Sequence, residues 1–350
     1  MNTKVELLDE KNIDEKILKQ AGYVIREGGL VAFPTETVYG LGANALDANA
    51  VKKIFGAKGR PQDNPLIVHI SDIKEIYKLV KFIPEAAEKF MNEFWPGPMT
   101  IILPKTDLIP DVTSAGLSSI GIRMPSNIIA NHFIKAAGVP IAAPSANISG
   151  RPSPTDVERC IEDLNGKVDW IIGGGMSEFG VESTVIDCTV EPSCVLRPGR
   201  ITLEMLRKIE PNIYIDPAVM RKPSRDLKPK APGMKYRHYA PKAKVKIVQG
   251  DLKKTIAKIS EMVQNYIDEG KKVGIMATDE TKEHYKKGFV ISLGSRKNMV
   301  EISKNLFETL RSFDDENIDI VISEAFEEQG IGIAVMNRLQ KSAAFDITEV

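Results

Sequence analysis

Apolar positions along the chain fall in short runs separated by polar, glycine- and proline-rich stretches, the texture of a sheet built from brief strands. "GGLVAF" and "PLIVHI" read as buried strands that flank "PTETVYGLGANA" and "GAKGRPQDN" and hold them rigidly. In "NAVKKIFGAKG" the spacing of Val51, Ile54 and Phe55 predicts a helix that turns Lys52 and Lys53 outward and delivers a basic loop after Gly56. The period of two in "SSIGIRMP" puts Ile120, Ile122 and Met124 on one face and Ser119, Gly121 and Arg123 on the other. By the same count Leu66, Val68 and Ile70 share a face, which leaves His69 with Ile67 on the opposite one. "MTIILPK", "VPIAAP", "VDWIIGG", "ESTVIDCT" and "SCVLRPG" are further strands, and a capping box at Thr155 and Glu158 predicts a helix start. Residues 1–212 are therefore expected to form a mixed α/β sheet domain.

The pattern changes near Pro211. Between Arg221 and Lys246 there are ten Lys or Arg against one acid, Asp226, and five prolines punctuate Pro217 to Pro241. Residues 213–244 thus read as an extended basic linker. Beyond it "KVKIV", "KKVGIMAT", "GFVISLG" and "IDIVISEAF" alternate with helical runs such as "LKKTIAKISEMVQNYIDEG". Alternating β and α units predict a small Rossmann-like parallel sheet over 245–350, covered by helices on both faces.

Composition narrows the class. Forty-seven basic and forty-seven acidic residues among 350 cancel, so the chain as a whole is not a polycationic nucleic-acid binder. Cys160, Cys188 and Cys194 are odd in number and lack metal-ligand spacing, which argues for a reduced cytoplasmic protein. No apolar run reaches the roughly 18 to 20 residues that cross a bilayer, and "MNTKVELLDEKNIDEK" has no signal-peptide apolar region.

The chemistry gathers in the first domain. An arginine on a strand face needs an anion, either a ligand carboxylate or phosphate held by the guanidinium fork or an internal Asp or Glu. His69 taken alone reads more readily as a packed core or rim histidine than as a catalyst. "APSANISGRPSPT" carries Ser145, Asn147, Ser149, Arg151 and Ser153 on a proline-held loop that can cradle phosphate or simply turn the chain before a helix. Gly173 to Gly175 do not form a dinucleotide fingerprint, and no Walker A lysine motif is present.

Taken together, "PTETVYGLGANA", "KGRPQDNPLIVHI", "WPGPMT", "GIRMPS", "APSANISG", "ESTVIDCT" and "LRPGRI" resemble the YrdC family. "PGMKYRHYAP" before a second α/β module resembles its longer members, the threonylcarbamoyl-AMP synthases. The resemblance implies that L-threonine, bicarbonate and ATP give threonylcarbamoyl-AMP and pyrophosphate, feeding threonylcarbamoyl-transfer proteins that modify the adenosine beside a tRNA anticodon. It implies threonine contacts from Thr35, Thr37, His69, Arg123, the backbone around Ala143, and Ser183. It implies ATP contacts from Lys58, Arg60, Asn64, Ser119, Ser145, Asn147, Ser153 and Arg197. Lys58 and Arg60 would stabilise developing phosphate charge. Mg²⁺ would be bound mainly through ATP, with no side-chain ligand assigned. No dedicated base stands out; Glu36 and His69 are the candidates.

Tyr236, Arg237, His238 and Tyr239 are packed between Gly233 and Pro241 and read as a lid, with Tyr236 or His238 against the nucleotide. A reading from another class, an RNA-binding protein using the basic linker and Lys52, Lys53, Lys58 and Arg60, leaves the polar constellation around Arg123 without a purpose. A weak tRNA contact remains compatible with the linker, and oligomeric state is not legible.

Overall fold

The computed structural model describes residues 2–222, 229–234 and 238–350. The chain divides into two compact units, Met1–Ser149 with Ser153–Lys235, and Gly150–Pro152 with Tyr236–Val350.

Among the described residues the first unit builds an eleven-stranded sheet. Its strands are β1 (Lys4–Leu7), β2 (Val31–Phe33), β3 (Gly40–Asn44), β4 (Ile67–His69), β5 (Met99–Pro104), β6 (Ser119–Arg123), β7 (Ile141–Ala142), β8 (Trp170–Gly173), β9 (Thr184–Asp187), β10 (Cys194–Arg197) and β11 (Tyr214–Ile215). They lie in the order β1-β8-β2-β3-β7-β4-β6-β5-β9-β10-β11. Parallel pairs such as β4 with β6 alternate with antiparallel ones such as β5 with β6, the mixed sheet that the short strands predict.

Because strand side chains alternate, each strand splits its residues between two environments. Ala32, Leu41, Val68, Ile101, Ile122 and Ile186 enter the main core on one face. Val31, Phe33 and Ile141 face the other way, under the helices Glu15–Arg26 and Ile128–Ala137. Further along that second face Ile67, Ile102, Val185 and Leu196 pack with Ala231 and Met234. Part of the segment expected to be an extended linker is thus built into the first unit. Tyr214–Ile215 is a strand, Pro217–Met220 a 3₁₀ turn, and Lys230 pairs with Asp187 at 3.0 Å.

Two local expectations are corrected. The helix beginning at Ala48 does not give way to a loop after Gly56 but runs to Lys58, because Gly59 supplies the left-handed cap (φ +60°) that ends it. The helix Val157–Leu164 is capped not by Thr155 but by Asp156, whose carboxylate accepts the Arg159 amide.

Among the described residues the second unit has five parallel strands, β12 (Lys244–Gln249), β13 (Val273–Ala277), β14 (Phe289–Ser292), β15 (Ile320–Glu324) and β16 (Ile347–Glu349), in the order β14-β13-β15-β12-β16. Ile259 and Val263 of the helix Leu252–Asp268 pack with Val273, Ile275 and Ala277. Gly274, pointing oppositely, lies against the Phe313 ring of the helix Met299–Asp315. Both faces are covered, as the β/α alternation predicts.

In the first unit the helices Glu15–Arg26 and Ile128–Ala137 meet at Gly22, where an added Cβ would stand 2.7 Å from the Ala136 backbone. Arg26 closes the same contact by donating to the Ala136 and Ala137 carbonyls. Gly22→Ala would gain about 1 kcal/mol of helix propensity. Forcing two backbones apart costs about 1 to 3 kcal/mol, so the expected outcome is a lower midpoint in denaturant unfolding. A raised midpoint would contradict this helix crossing.

Candidate active site

On the second face of the first sheet, register brings polar side chains together. β4 runs parallel to β6 with His69 beside Arg123, and β5 flanks the other side of β6 with Thr100 beside Arg123. Ser119 and Gly121 share that face of β6 with Arg123, and the bare glycine keeps the strand's centre open. Thr100 and Ser183 exchange a hydroxyl hydrogen bond of 2.8 Å. Arg197, at the end of β10, donates from Nε to the Ser183 carbonyl and from Nη2 to its Oγ, both at 3.0 Å. The Ala143 amide donates to the Ile67 carbonyl at 2.9 Å, joining the loop after β7 to β4.

The loop 34–38 brings a carboxylate back to this face. Glu36 Oε1 accepts Arg123 Nη2 at 2.6 Å, with both side chains buried. Of the two anions open to Arg123 from sequence, the internal one is therefore present. It does not complete the guanidinium, because Nε is buried and has no acceptor. The loop is anchored from behind by the Phe179 amide on the Glu36 carbonyl and Ser177 Oγ on the Thr35 carbonyl. Thr35 Oγ1 donates to the Val38 carbonyl at 2.6 Å and lies 2.9 Å from Thr37 Oγ1. A hydroxyl has one proton, so Thr37 donates to Thr35 and keeps its own lone pairs open.

His69 is driven down to about 3, first by burial and then by the Arg123 guanidinium. Its Nδ1 lies 3.2 Å from the Ile67 carbonyl. A carbonyl only accepts, and the Ile141 carbonyl also lies against the ring, so the single N–H of the neutral imidazole serves one of the two. A group with so low a pKa stays neutral and is a weak proton acceptor at neutral pH.

The other predicted residues fall into three local sets: Lys58 with Ser145 and Asn147, Arg60 with Asn64, and Ser153 with Glu182. Lys58, buried in the last helical turn, donates to the Ser145 and Asn147 carbonyls. Ser145 Oγ donates to Asn147 Oδ1 at 2.5 Å, and Ser145 bridges to Gly40 at the start of β3. Arg60 follows the Gly59 turn and donates to the Asn64 and Pro65 carbonyls. The Asn64 side chain is 1 % exposed and its Oδ1 has no donor. Ser153 Oγ donates to Glu182 Oε1 at 2.6 Å.

His238 falls in the second unit, where its ring lies 5.4 Å from that of Tyr239. Tyr236 and Arg237 lie outside the described residues. Sequence reasoning left out Thr100 and Glu182, which stand inside the quoted strings "WPGPMT" and "ESTVIDCT", and weighed Glu36 only as a base. Their roles are set by partners distant in sequence, and no local pattern reports those.

A mixed sheet that carries a guanidinium, a neutral imidazole and hydroxyls on one buried face, with Arg197 bonded to Ser183 beside them and Lys58 and Arg60 around the turn that ends the helix Ala48–Lys58, defines an α/β enzyme of the YrdC-like class. The Sua5/YciO/YrdC family profile, described as "Telomere recombination", matches residues 23–199, and the profile "Threonylcarbamoyl-AMP synthase, C-terminal domain" matches residues 201–344. The chain is 50% identical to the threonylcarbamoyl-AMP synthase of Pyrococcus abyssi, over 97% of this chain and 98% of that one. It is 44% identical to the Bacillus subtilis enzyme of that name, over 97% and 96%. A crystal structure of P. abyssi Sua5 complexed with L-threonine superposes with a TM-score of 0.94 at 49% identity, covering 99% of this chain and 100% of that one. The chain belongs to the threonylcarbamoyl-AMP synthase family.

The neutral imidazole has a measurable consequence. An unfolded chain protonates its histidine near 6.5 and the folded one only at about 3, so between these values the unfolded state binds more protons and stability falls as pH falls. His69→Gln removes this difference and should flatten the acid limb of the stability–pH curve by up to about 1.4 kcal/mol per pH unit. Equal slopes in chemical denaturation of the two proteins would contradict a buried neutral His69.

Proposed function

We propose that this chain condenses L-threonine, bicarbonate and ATP into threonylcarbamoyl-AMP and pyrophosphate, and that the product supplies threonylcarbamoyl-transfer proteins acting on tRNA. The carrying observation is Arg123, a buried guanidinium with one edge on Glu36 and its Nε without an acceptor. An α-carboxylate is the anion of matching charge and geometry. Thr35, Thr37, His69, the Ala143 backbone and Ser183 surround the rest of threonine in this reading.

Two bonds are made in sequence. The threonine nitrogen attacks the bicarbonate carbon, and the carbamate forms as water and a proton depart. A carbamate oxygen then attacks the α-phosphorus of ATP and pyrophosphate leaves. Charge accumulates on phosphate oxygens, where Lys58, Arg60 and Arg197 stabilise it in a site with little water. Asn64, Ser119, Ser145, Asn147 and Ser153 serve ATP as neutral partners, and the unfilled Asn64 Oδ1 suits a donor such as an amino or hydroxyl group. Mg²⁺ would be bound mainly through ATP, where it would neutralise phosphate charge, with no side-chain ligand assigned. Cys160, Cys188 and Cys194 are buried thiols outside any disulfide, which fits a reducing cytoplasm. Among the described residues no helix is long and apolar enough to cross a membrane.

Pyrophosphate release should require ATP, threonine and bicarbonate together; release with any one omitted contradicts the assignment. Arg123→Lys keeps a cation for Glu36 but loses Nε, so threonine affinity should fall by about 1.5 to 3 kcal/mol, roughly tenfold to 150-fold, with ATP affinity spared. Arg60→Ala should weaken ATP and spare threonine. Calorimetry with each ligand separates the two, and an equal loss of both ligands in either variant would remove the division of roles.

A further inference from the structure

Glu36 is a buried carboxylate with spare capacity. Its Oε1 accepts Arg123 Nη2 at 2.6 Å, whereas Oε2 receives just a long 3.4 Å contact from the Asn127 amide. An ionised carboxylate offers about four acceptor positions, so Oε2 remains largely unfilled beside a guanidinium whose Nε is also unfilled. The carboxylate cannot drift to find water, because the Phe179 amide and Ser177 hydroxyl fix its loop.

One unfilled negative position and one unfilled positive position thus sit on a single ion pair. A zwitterion laid head to tail along that pair satisfies both together. On the reading that threonine's carboxylate meets Arg123, we infer that Glu36 receives the α-ammonium group, so that the Glu36–Arg123 pair recognises an amino acid by both of its backbone charges. A molecule with only the carboxylate would leave Oε2 facing carbon, buried and uncompensated. Discrimination against amino-acid analogues without the amine then arises at binding, before bicarbonate or ATP takes part.

The test compares L-threonine with (R)-3-hydroxybutyrate, which keeps the carboxylate, hydroxyl and methyl but lacks the ammonium. Titration calorimetry on the full chain should show wild type preferring threonine by about tenfold to 150-fold. In Glu36→Gln, which keeps the shape and an acceptor for Arg123, threonine should weaken by that factor, hydroxybutyrate should not weaken, and the preference should collapse. Glu36→Asp, which retains the charge, should restore part of it. If Glu36 merely holds Arg123 in place, both ligands weaken together in Glu36→Gln with the preference intact, and the inference is overturned. If Arg123→Lys leaves both ligands bound as in wild type, the siting of threonine is what fails.

Discussion

The ion pair between Glu36 and Arg123 sets the conditions under which this site can be assembled. Each ion gives up several kcal/mol of hydration when it is buried, and removing either partner would leave the other uncompensated at about 3 to 5 kcal/mol. The pair therefore has to be held from both sides. On one side stands the register of β4, β6 and β5, which puts His69 and Thr100 at the level of Arg123. On the other is the loop 34–38, tied down by Ser177 and Phe179. The same dryness pushes the His69 pKa down, so that the imidazole adds no second positive charge beside Arg123.

The remaining cations are delivered by equally specific devices. Gly59 in a left-handed conformation ends a helix so that Lys58 and Arg60 fall on either side of a tight turn. Ser183 engages Arg197 through both its carbonyl and its hydroxyl while bonding Thr100, which links the arginine to the strand beside Arg123. Ala231 and Met234 cover apolar neighbours on the same sheet face and limit the solvent around it. In the proposed reaction, exclusion of water would strengthen each fixed charge toward the phosphate oxygens where charge develops.

Much of this is readable from local pattern. The alternation in "SSIGIRMP" and "NPLIVHI" assigns Arg123 and His69 to the face opposite the main core, and the β/α alternation after residue 245 predicts a parallel sheet. What local pattern cannot report is pairing at long range. Glu36 and Arg123 are 87 positions apart, and Ser183 and Thr100 are 83 apart. β7 and β11, two residues each, are too short to show a period. The expected basic loop after Gly56 would contain Lys58, yet the glycine with the positive φ that ends the helix is Gly59. The cap at Asp156 won over Thr155 because both residues offer a side-chain oxygen and only backbone geometry separates them. Residues 229–234 read as linker from their prolines and charges, and tertiary packing of Ala231 and Met234 overrides that reading.

The central claim is that a buried ion pair with two unfilled positions is the receptor for the substrate amino acid. A crystal structure of this protein with L-threonine tests it most directly. The account predicts the carboxylate within hydrogen-bond reach of Arg123 Nε and the ammonium at Glu36 Oε2, with the pair intact. Threonine bound away from Arg123, for instance against Lys58 or Arg197, with Nε still unfilled, would contradict it.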